Sequence, residues 1–314
     1  MAEESARTVL VAVAANLGIA IAKTVAAVFT GSAALWAEAA HSVADTGNEV
    51  LLFIGLRKSS GAPDAAHPFG RGQERYFWAF LAALGIFLVG GTLSIGEGIR
   101  SLLMPEPLES LWVGIGVLLV SACFEGYSWH TAHQQLRNNA RDRRRSLGEQ
   151  LMRASDPSAP TVFLEDSAAL VGLALALVAL VLHAWTGWAG WDALGSMAIG
   201  VLLIAVAFLL AVRSKALMLE EAAPSDVADP IRARVSAVDW VGELVDMHAV
   251  YLGPSRLLVN LWIRPSSSAL AASGGELVER VDRLRSELLA EDGIAQVTVT
   301  LVNAGSTRSA EPPR

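Results

Sequence analysis

Six stretches of this chain are long and apolar enough to cross about 30 Å of hydrocarbon, and that restricts its fold more than any other feature. They cover residues 8–29, 33–56, 76–103, 111–135, 159–185 and 189–213. Backbone N–H and C=O groups find no water inside a bilayer, so each stretch is predicted to be an α-helix that satisfies them internally. An even count puts both ends of the bundle on one side. Arg57, Lys58, Arg71 and Arg75 follow the second stretch, and Arg137, Arg141, Arg143, Arg144, Arg145 and Arg153 follow the fourth. The connections after the first, third and fifth contain no Lys or Arg. Basic residues stay cytoplasmic, which places both termini there. Trp185, Trp188 and Trp191, with Trp36 and Trp112, suit an interfacial aromatic belt on the other side.

Residues 1–213 therefore read as a six-helix transmembrane domain. The amino terminus, Met1-Ala-Glu-Glu-Ser-Ala-Arg7, is acidic and runs straight into apolar sequence, so no cleaved leader is expected. Residues 214–304 have the composition of a soluble α/β domain, and 305–314 read as a disordered tail. Within the domain a helix over Ser225–Val238, capped by Ser225 or Asp226 with Pro230 in its first turn, precedes strands at Leu244–Tyr251 and Arg256–Ile263. An amphipathic helix over Gly275–Ala290 and a strand over Ile294–Leu301 complete an α-β-β-α-β order.

Composition removes several functions. A net charge of −7 offers no surplus of Lys and Arg for nucleic acid. The single cysteine, Cys123, excludes an internal disulfide and a multi-thiolate metal centre; it is expected to pack as a small apolar residue. No His-Glu-x-x-His or comparable pair supports an intramembrane metalloprotease, so the chain does not read as an enzyme.

The second stretch is nonetheless full of ionisable groups. His41 and Asp45 are four residues apart, hence about 40° apart around a helix and stacked on one face. Glu38 and Asn48 extend that stripe. Charged groups at bilayer depth face the bundle interior, find partners and mark ion paths. A second constellation, Glu165-Asp166, lies at the cytoplasmic side of the fifth stretch. Adjacent acids point about 100° apart, so one should lead, and Asp166 approaching His41 and Asp45 would offer an imidazole with two or three carboxylates. Such ligands suit Zn²⁺, Mn²⁺, Fe²⁺ or Co²⁺, and the lack of thiolate disfavours Cu⁺. The same acids would also suit a helix amino terminus. Lys23 is expected to pair with Glu97 or Glu125, or to serve a proton relay, and His130 and His133 lie near the cytoplasmic end of the fourth stretch.

These residues resemble the cation diffusion facilitator family of divalent metal transporters, most of all its zinc transporter nine-like branch. The segment from Gly31 through His41-Ser-Val-Ala-Asp45 to Asn48 is similar to the family's second-helix signature. His67-Pro-Phe-Gly70 resembles its His-Pro-Tyr-Gly element, and Leu164-Glu165-Asp166-Ser-Ala-Ala fits a Glu-Asp variant of its fifth helix. The resemblance covers roughly residues 8–303. It implies a homodimeric secondary transporter that exports a divalent cation, Zn²⁺ first, from the cytoplasm against protons; for a bacterial host the expected location is the inner membrane. The metal is cargo, and no prosthetic group is implied. It further implies a ferredoxin- or metallochaperone-like carboxyl domain that dimerises, in which His248 beside Asp246 makes at most a weak metal site.

By that resemblance four ligands hold the ion, two on the second helix and two on the fifth at i and i+4. His41 and Asp45 match the first pair and Asp166 the later member of the second. Val162, at the earlier position, has no donor, which leaves Glu165, Asn48 or water to supply it. A loop site used by some relatives would fall on Asp64, His67 and Arg71, and arginine cannot ligate. The incomplete set also leaves open a membrane-anchored sensor or scaffold that binds metal without moving it.

Overall fold

The structure is a computed structural model that describes residues 2–105 and 110–303. The acidic connection at 106–109 and the tail expected to be disordered from 305 lie outside the described residues. The chain divides into two compact units: one comprises residues up to Ala62 together with Gln73–Met218, the other Pro63–Gly72 together with residues from Leu219 on.

The first unit is helical. It contains α1 (Ala2–Thr30), α2 (Ala33–Ser59), α3 (Glu74–Gly85), a π-helical segment (Ile86–Gly91), α4 (Thr92–Leu103), α5 (Leu111–Asp142), α6 (Leu147–Arg153), α7 (Ser158–Thr186) and α8 (Gly190–Met218). Gly31, at φ 68°, ends α1 in the left-handed conformation that an L side chain resists. Ser32 then caps α2 by accepting the Leu35 N–H at 3.2 Å, so only two residues separate the helices. The expected third span is continuous from α3 to α4 but passes through the π-helical turn between them, where Gly90 and Gly91 are buried. Helix α6 was not expected; Ser146 and Glu149 form a capping box at its start.

Exposed and buried faces are inverted relative to a soluble protein. Ile21, Phe29, Leu93, Phe124, Val201 and Phe208 are exposed, whereas Lys23, Glu38, His41, Asn48, Glu125, Glu165, Asp166 and Asp192 are buried. Cys123 is exposed on α5 rather than packed inside as expected. Among the described residues, four helical stretches are long and apolar enough to cross a membrane: Glu74–Leu103, Leu111–Asp142, Ser158–Thr186 and Gly190–Met218. The apolar part of α1 among the described residues, Asn16–Thr30, is shorter, and α2 is interrupted by Glu38, Asp45 and Glu49. Helix α2 packs on α1, α3, α4, α7 and α8, around a core that includes Leu35, Ala37, Leu173, Ala176, Leu180, Ile199 and Leu203.

In the second unit α9 (Ser225–Ser236), β1 (Val241–Gly253), β2 (Arg256–Pro265), α10 (Ser267–Leu270), α11 (Gly274–Leu289) and β3 (Ile294–Leu301) reproduce the α-β-β-α-β order with one short helix added. Strand β2 is central, antiparallel to β1 and parallel to β3. Leu257, Val259, Leu261 and Ile263 alternate inward on β2 and meet Ile231, Val235, Leu284 and Leu288 of the helices. Neither Ser225 nor Asp226 caps α9: Pro224 is the N-cap residue and makes no side-chain cap, and Pro230 falls inside the helix, beyond its first turn. His248 stays on the surface, 3.2 Å from Asp246 and edge-on to Trp262.

Helices α4 and α8 approach through glycine. A methyl at Gly200 would lie 2.8 Å from the Gly91 carbonyl oxygen, and one at Gly98 would lie 2.8 Å from that of Ala193, whereas one at Gly96 meets nothing within 4 Å. Gly200→Leu is therefore expected to lower stability by about 1–3 kcal/mol, as overpacking does, with Gly96→Leu nearly silent. Thermal unfolding of the detergent-solubilised variants measures the difference.

Candidate metal site

The polar interior of the first unit is assembled from α1, α2, α5 and α7. Its position depends on the start of α2. Asp192, in the first turn of α8, accepts the Ser32 hydroxyl at 2.6 Å and the Ala34 N–H at 3.4 Å, and also takes the Ala33 N–H. A carboxylate thus satisfies the amide groups that a helix leaves open at its amino terminus and complements its dipole. Nothing in the local sequence singled out Asp192; its role depends on α8 reaching the α1–α2 turn.

Below that anchor α2 directs Glu38, His41, Asp45 and Asn48 inward. Glu38 does not join the His41 stripe as a ligand. It accepts Lys23 of α1 at 3.0 Å, with both side chains fully buried, and its other oxygen rests where a side chain at Gly172 of α7 would have to go. Lys23 also lies 3.8 Å from Glu125 of α5. Of the two partners expected for Lys23, Glu125 is there and Glu97 is not; Glu97 pairs with Arg100 on its own helix at 2.7 Å. Asp45 is half-buried and receives Asn16 of α1 at 3.4 Å. Asn16 went unselected, although an Asn in an otherwise apolar run was the available signal.

Helix α7 presents both of its acids to the interior, Glu165 at 4% and Asp166 at 6% exposure. Glu165 accepts the amide N–H of Asn48, which joins α2 to α7. Asp166 sits beside Ser128 of α5. Asp45 and Glu49 of α2, Glu125 of α5 and Glu165 and Asp166 of α7 all belong to this interior, where Glu125, Glu165 and Asp166 are buried and Asp45 and Glu49 half-buried. Several buried atoms have no partner: His41 Nδ1, Asn48 Oδ1, Glu49 Oε2, Glu165 Oε1 and Asp166 Oδ2. Among the described residues no three His, Cys, Asp or Glu side chains converge tightly enough to hold a metal ion in this state. Of the sequence-predicted residues, then, Asn48 and Glu165 touch, and His41, Asp45 and Asp166 share the interior without forming a closed shell. At the end of α5, His133 stacks on Trp129 at 5.1 Å and His130 lies 2.8 Å from Gln134.

In the second unit the Asp64–His67–Arg71 loop is closed by an ion pair. Arg71 donates to Asp64 Oδ2 at 2.8 Å, and the Ala66 and His67 N–H groups donate to Oδ1 at 2.9 and 2.7 Å. Arg71, which cannot ligate, thus takes one carboxylate oxygen of Asp64, and His67 Nδ1 lies 3.1 Å from the other.

Two outcomes follow from these contacts. Asn48→Leu leaves the Glu165 carboxylate buried without its donor and should cost about 1–3 kcal/mol, read as a lower unfolding temperature in detergent that Glu165→Gln does not worsen. The Arg71 guanidinium, aided by the His67 N–H, holds the Asp64 carboxyl below the usual carboxylate range. A depressed value stabilises the loop above the unfolded-state pKa of about 4 and is lost only as pH falls through the lower folded value. Hydrogen exchange across residues 63–72 should stay slow from neutral pH down to about pH 4, and Asp64→Asn should speed it throughout.

Residues 9–219 match the family model described as the cation efflux transmembrane domain. The chain is 37% identical over 222 residues to the human "Proton-coupled zinc antiporter SLC30A9, mitochondrial", an alignment covering 70% of this chain and 39% of that protein. It is 32% identical over 225 residues to "Metal tolerance protein C4" of Arabidopsis thaliana, covering 72% of this chain and 49% of the relative. To "Cation-efflux pump FieF" of Klebsiella pneumoniae it is 26% identical over 253 residues, 80% of this chain and 78% of that protein. The alignments with the first two relatives thus span half or less of those proteins' length. With the match running through every helix that carries the buried acids, the chain belongs to the cation efflux family, a family of transporters rather than enzymes.

Proposed function

We propose that this protein is a secondary active transporter that exports a divalent cation, Zn²⁺ first, from the cytoplasm in exchange for protons. It would do so as a homodimer with six spans and both termini cytoplasmic. In this reading α1 and α2 cross the membrane beside the four more apolar spans, the polar α2 shielded by its neighbours. The carboxyl α-β-β-α-β unit, with its ferredoxin-like element order, would serve dimerisation.

The observation that carries the reading is the set of buried, unpartnered donors on α2 and α7: His41 Nδ1, Asn48 Oδ1, Glu165 Oε1 and Asp166 Oδ2. A buried polar atom without a partner costs about 1–3 kcal/mol, and a dication bound between the helices would satisfy several at once. Nitrogen and oxygen donors without thiolate match Zn²⁺, with Mn²⁺, Fe²⁺ and Co²⁺ also compatible. The relatives named above as a zinc antiporter and a cation-efflux pump agree with such a substrate.

The mechanism follows from ligand chemistry. Asp45, Asp166 and Glu165 accept a metal only when deprotonated, and His41 only when neutral. Binding therefore displaces protons on one face of the membrane. Protonation from the other face releases the metal, provided the helices expose the site to the two sides in turn. Asn48 keeps Glu165 directed at α2 between these events.

Proteoliposomes with an imposed pH gradient test this directly. Zn²⁺ should move against the proton flow, and Asp45→Ala or Asp166→Ala should cut the initial rate at least about tenfold, the scale of losing a group that supports a metal site. Undiminished flux in both variants would refute the site. Zinc binding without any gradient-driven flux would favour the sensor.

A further inference from the structure

In the site drawn from α2 and α7, Val162, one turn before Asp166, offers no donor, and Glu165, which would stand in for it, is already engaged by Asn48 of α2. The described residues contain another carboxylate facing the same space. Glu125 is 9% exposed and lies on the inward stripe of α5 formed by Gly114, Leu118, Ser121, Ala132 and Leu136. One turn further, Trp129 donates to Ser167 at 2.9 Å, next in the chain to Asp166, and so fixes this face of α5 against α7. The Glu125 charge is felt at Asp45, Glu49 and Asp166. Its hold on Lys23 is the looser of two: 3.8 Å, against 3.0 Å from Lys23 to Glu38. Lys23 therefore keeps a partner if Glu125 leaves. His41 Nδ1 and Asp166 Oδ2, more than nine-tenths buried and unpartnered, show that neighbouring donors are unsatisfied without a cation.

We propose that Glu125 is a further ligand of the transported cation, contributed by α5 and held by Lys23 until the cation draws it away. The inference rests on the transport reading. It assigns a hard oxygen donor, suited to a divalent cation, where α7 lacks one, and it makes Lys23 a resident cation that shares Glu125 with the cargo.

Calorimetric Zn²⁺ titration of the full-length protein in detergent, beside proteoliposome flux, tests it. E125Q is expected to weaken Zn²⁺ binding at least about tenfold and to slow flux while its thermal unfolding stays close to that of the parent. K23M/E38Q/E125Q, which removes the buried Lys23 charge together with both of its acid partners, should bind Zn²⁺ as weakly as E125Q, and it carries the same test if E125Q fails to fold. Parental Zn²⁺ affinity in E125Q or in K23M/E38Q/E125Q would mark the cluster as purely structural and overturn the assignment. That failure is separable from failure of the transport reading: there the parent protein itself moves no Zn²⁺, whereas here the parent transports, Asp45→Ala does not, and Glu125 is dispensable.

Discussion

A carboxylate removed from water must be neutralised, hydrogen-bonded or bound to a cation, and the whole helical unit is arranged around that requirement. Two opposite charges 4 Å apart attract by about 4 kcal/mol at an effective dielectric near 20. Stripping one partner from a buried pair costs about 3–5 kcal/mol. Lys23 therefore does more than fill space: it ties α1 to α2 through Glu38 and reaches α5 through Glu125. The two amides, Asn16 at Asp45 and Asn48 at Glu165, work more weakly, because a neutral donor stabilises an ionised oxygen without cancelling its charge. The interior is left with more acid than base and with donor atoms unpaired. That imbalance is stabilising only if something positive arrives.

Such an interior needs a frame that does not depend on it, and the frame is built from small residues and helix ends. The Gly31-Ser32 turn sets α2 against α1, and Asp192 fastens that turn to α8. Glycines at 91, 98 and 200 let α4 and α8 approach to backbone distance, where dispersion and carbonyl contacts replace the hydrophobic effect that lipid does not supply. The π-helical segment lies within one long span beside this contact, with Ser94 bonding Gly90 and Ser196 bonding Ser94 in the same region. Polar hydrogen bonds close the gaps that the irregular backbone opens.

The sequence made legible whatever is local in the chain. Span positions followed from apolar runs, and the α-β-β-α-β order followed from a change of period, because the inward alternation Leu257, Val259, Leu261, Ile263 is written directly into β2. Arg71 could be dismissed as a ligand from its chemistry alone. What could not be read depends on helix rotation and approach. Lys23 had two acids within plausible reach, and only packing decided for Glu125 over Glu97 and added Glu38. Glu165 and Asp166 were expected to point about 100° apart with only one leading into the interior; because α7 packs on both α2 and α5, each acid finds a different neighbour, Asn48 for Glu165 and Ser128 for Asp166. Asp192, inside the sixth apolar stretch, drew no expectation, because its partners are about 160 positions away. Cys123, expected from its type to pack as a small apolar residue, lies on an exposed face of α5 instead.

The unusual polarity of α2 is best understood from its surroundings. On insertion scales an Asp near a helix centre costs about 2.5–3.5 kcal/mol, so Glu38, Asp45 and Glu49 make α2 a poor span by itself. It does not stand by itself: α1, α3, α4, α7 and α8 enclose it, and each inward acid meets a group those helices bring. Lys23 and Asn16 come from α1, and Gly172 of α7 makes room for Glu38. The helix least able to face lipid is thus the one the others are folded around. A chain that wanted only stability would have replaced those acids with leucine, since well-packed apolar groups match or exceed buried ion pairs. Their retention at the centre of the bundle, with donors left unsatisfied, is what stability alone does not explain.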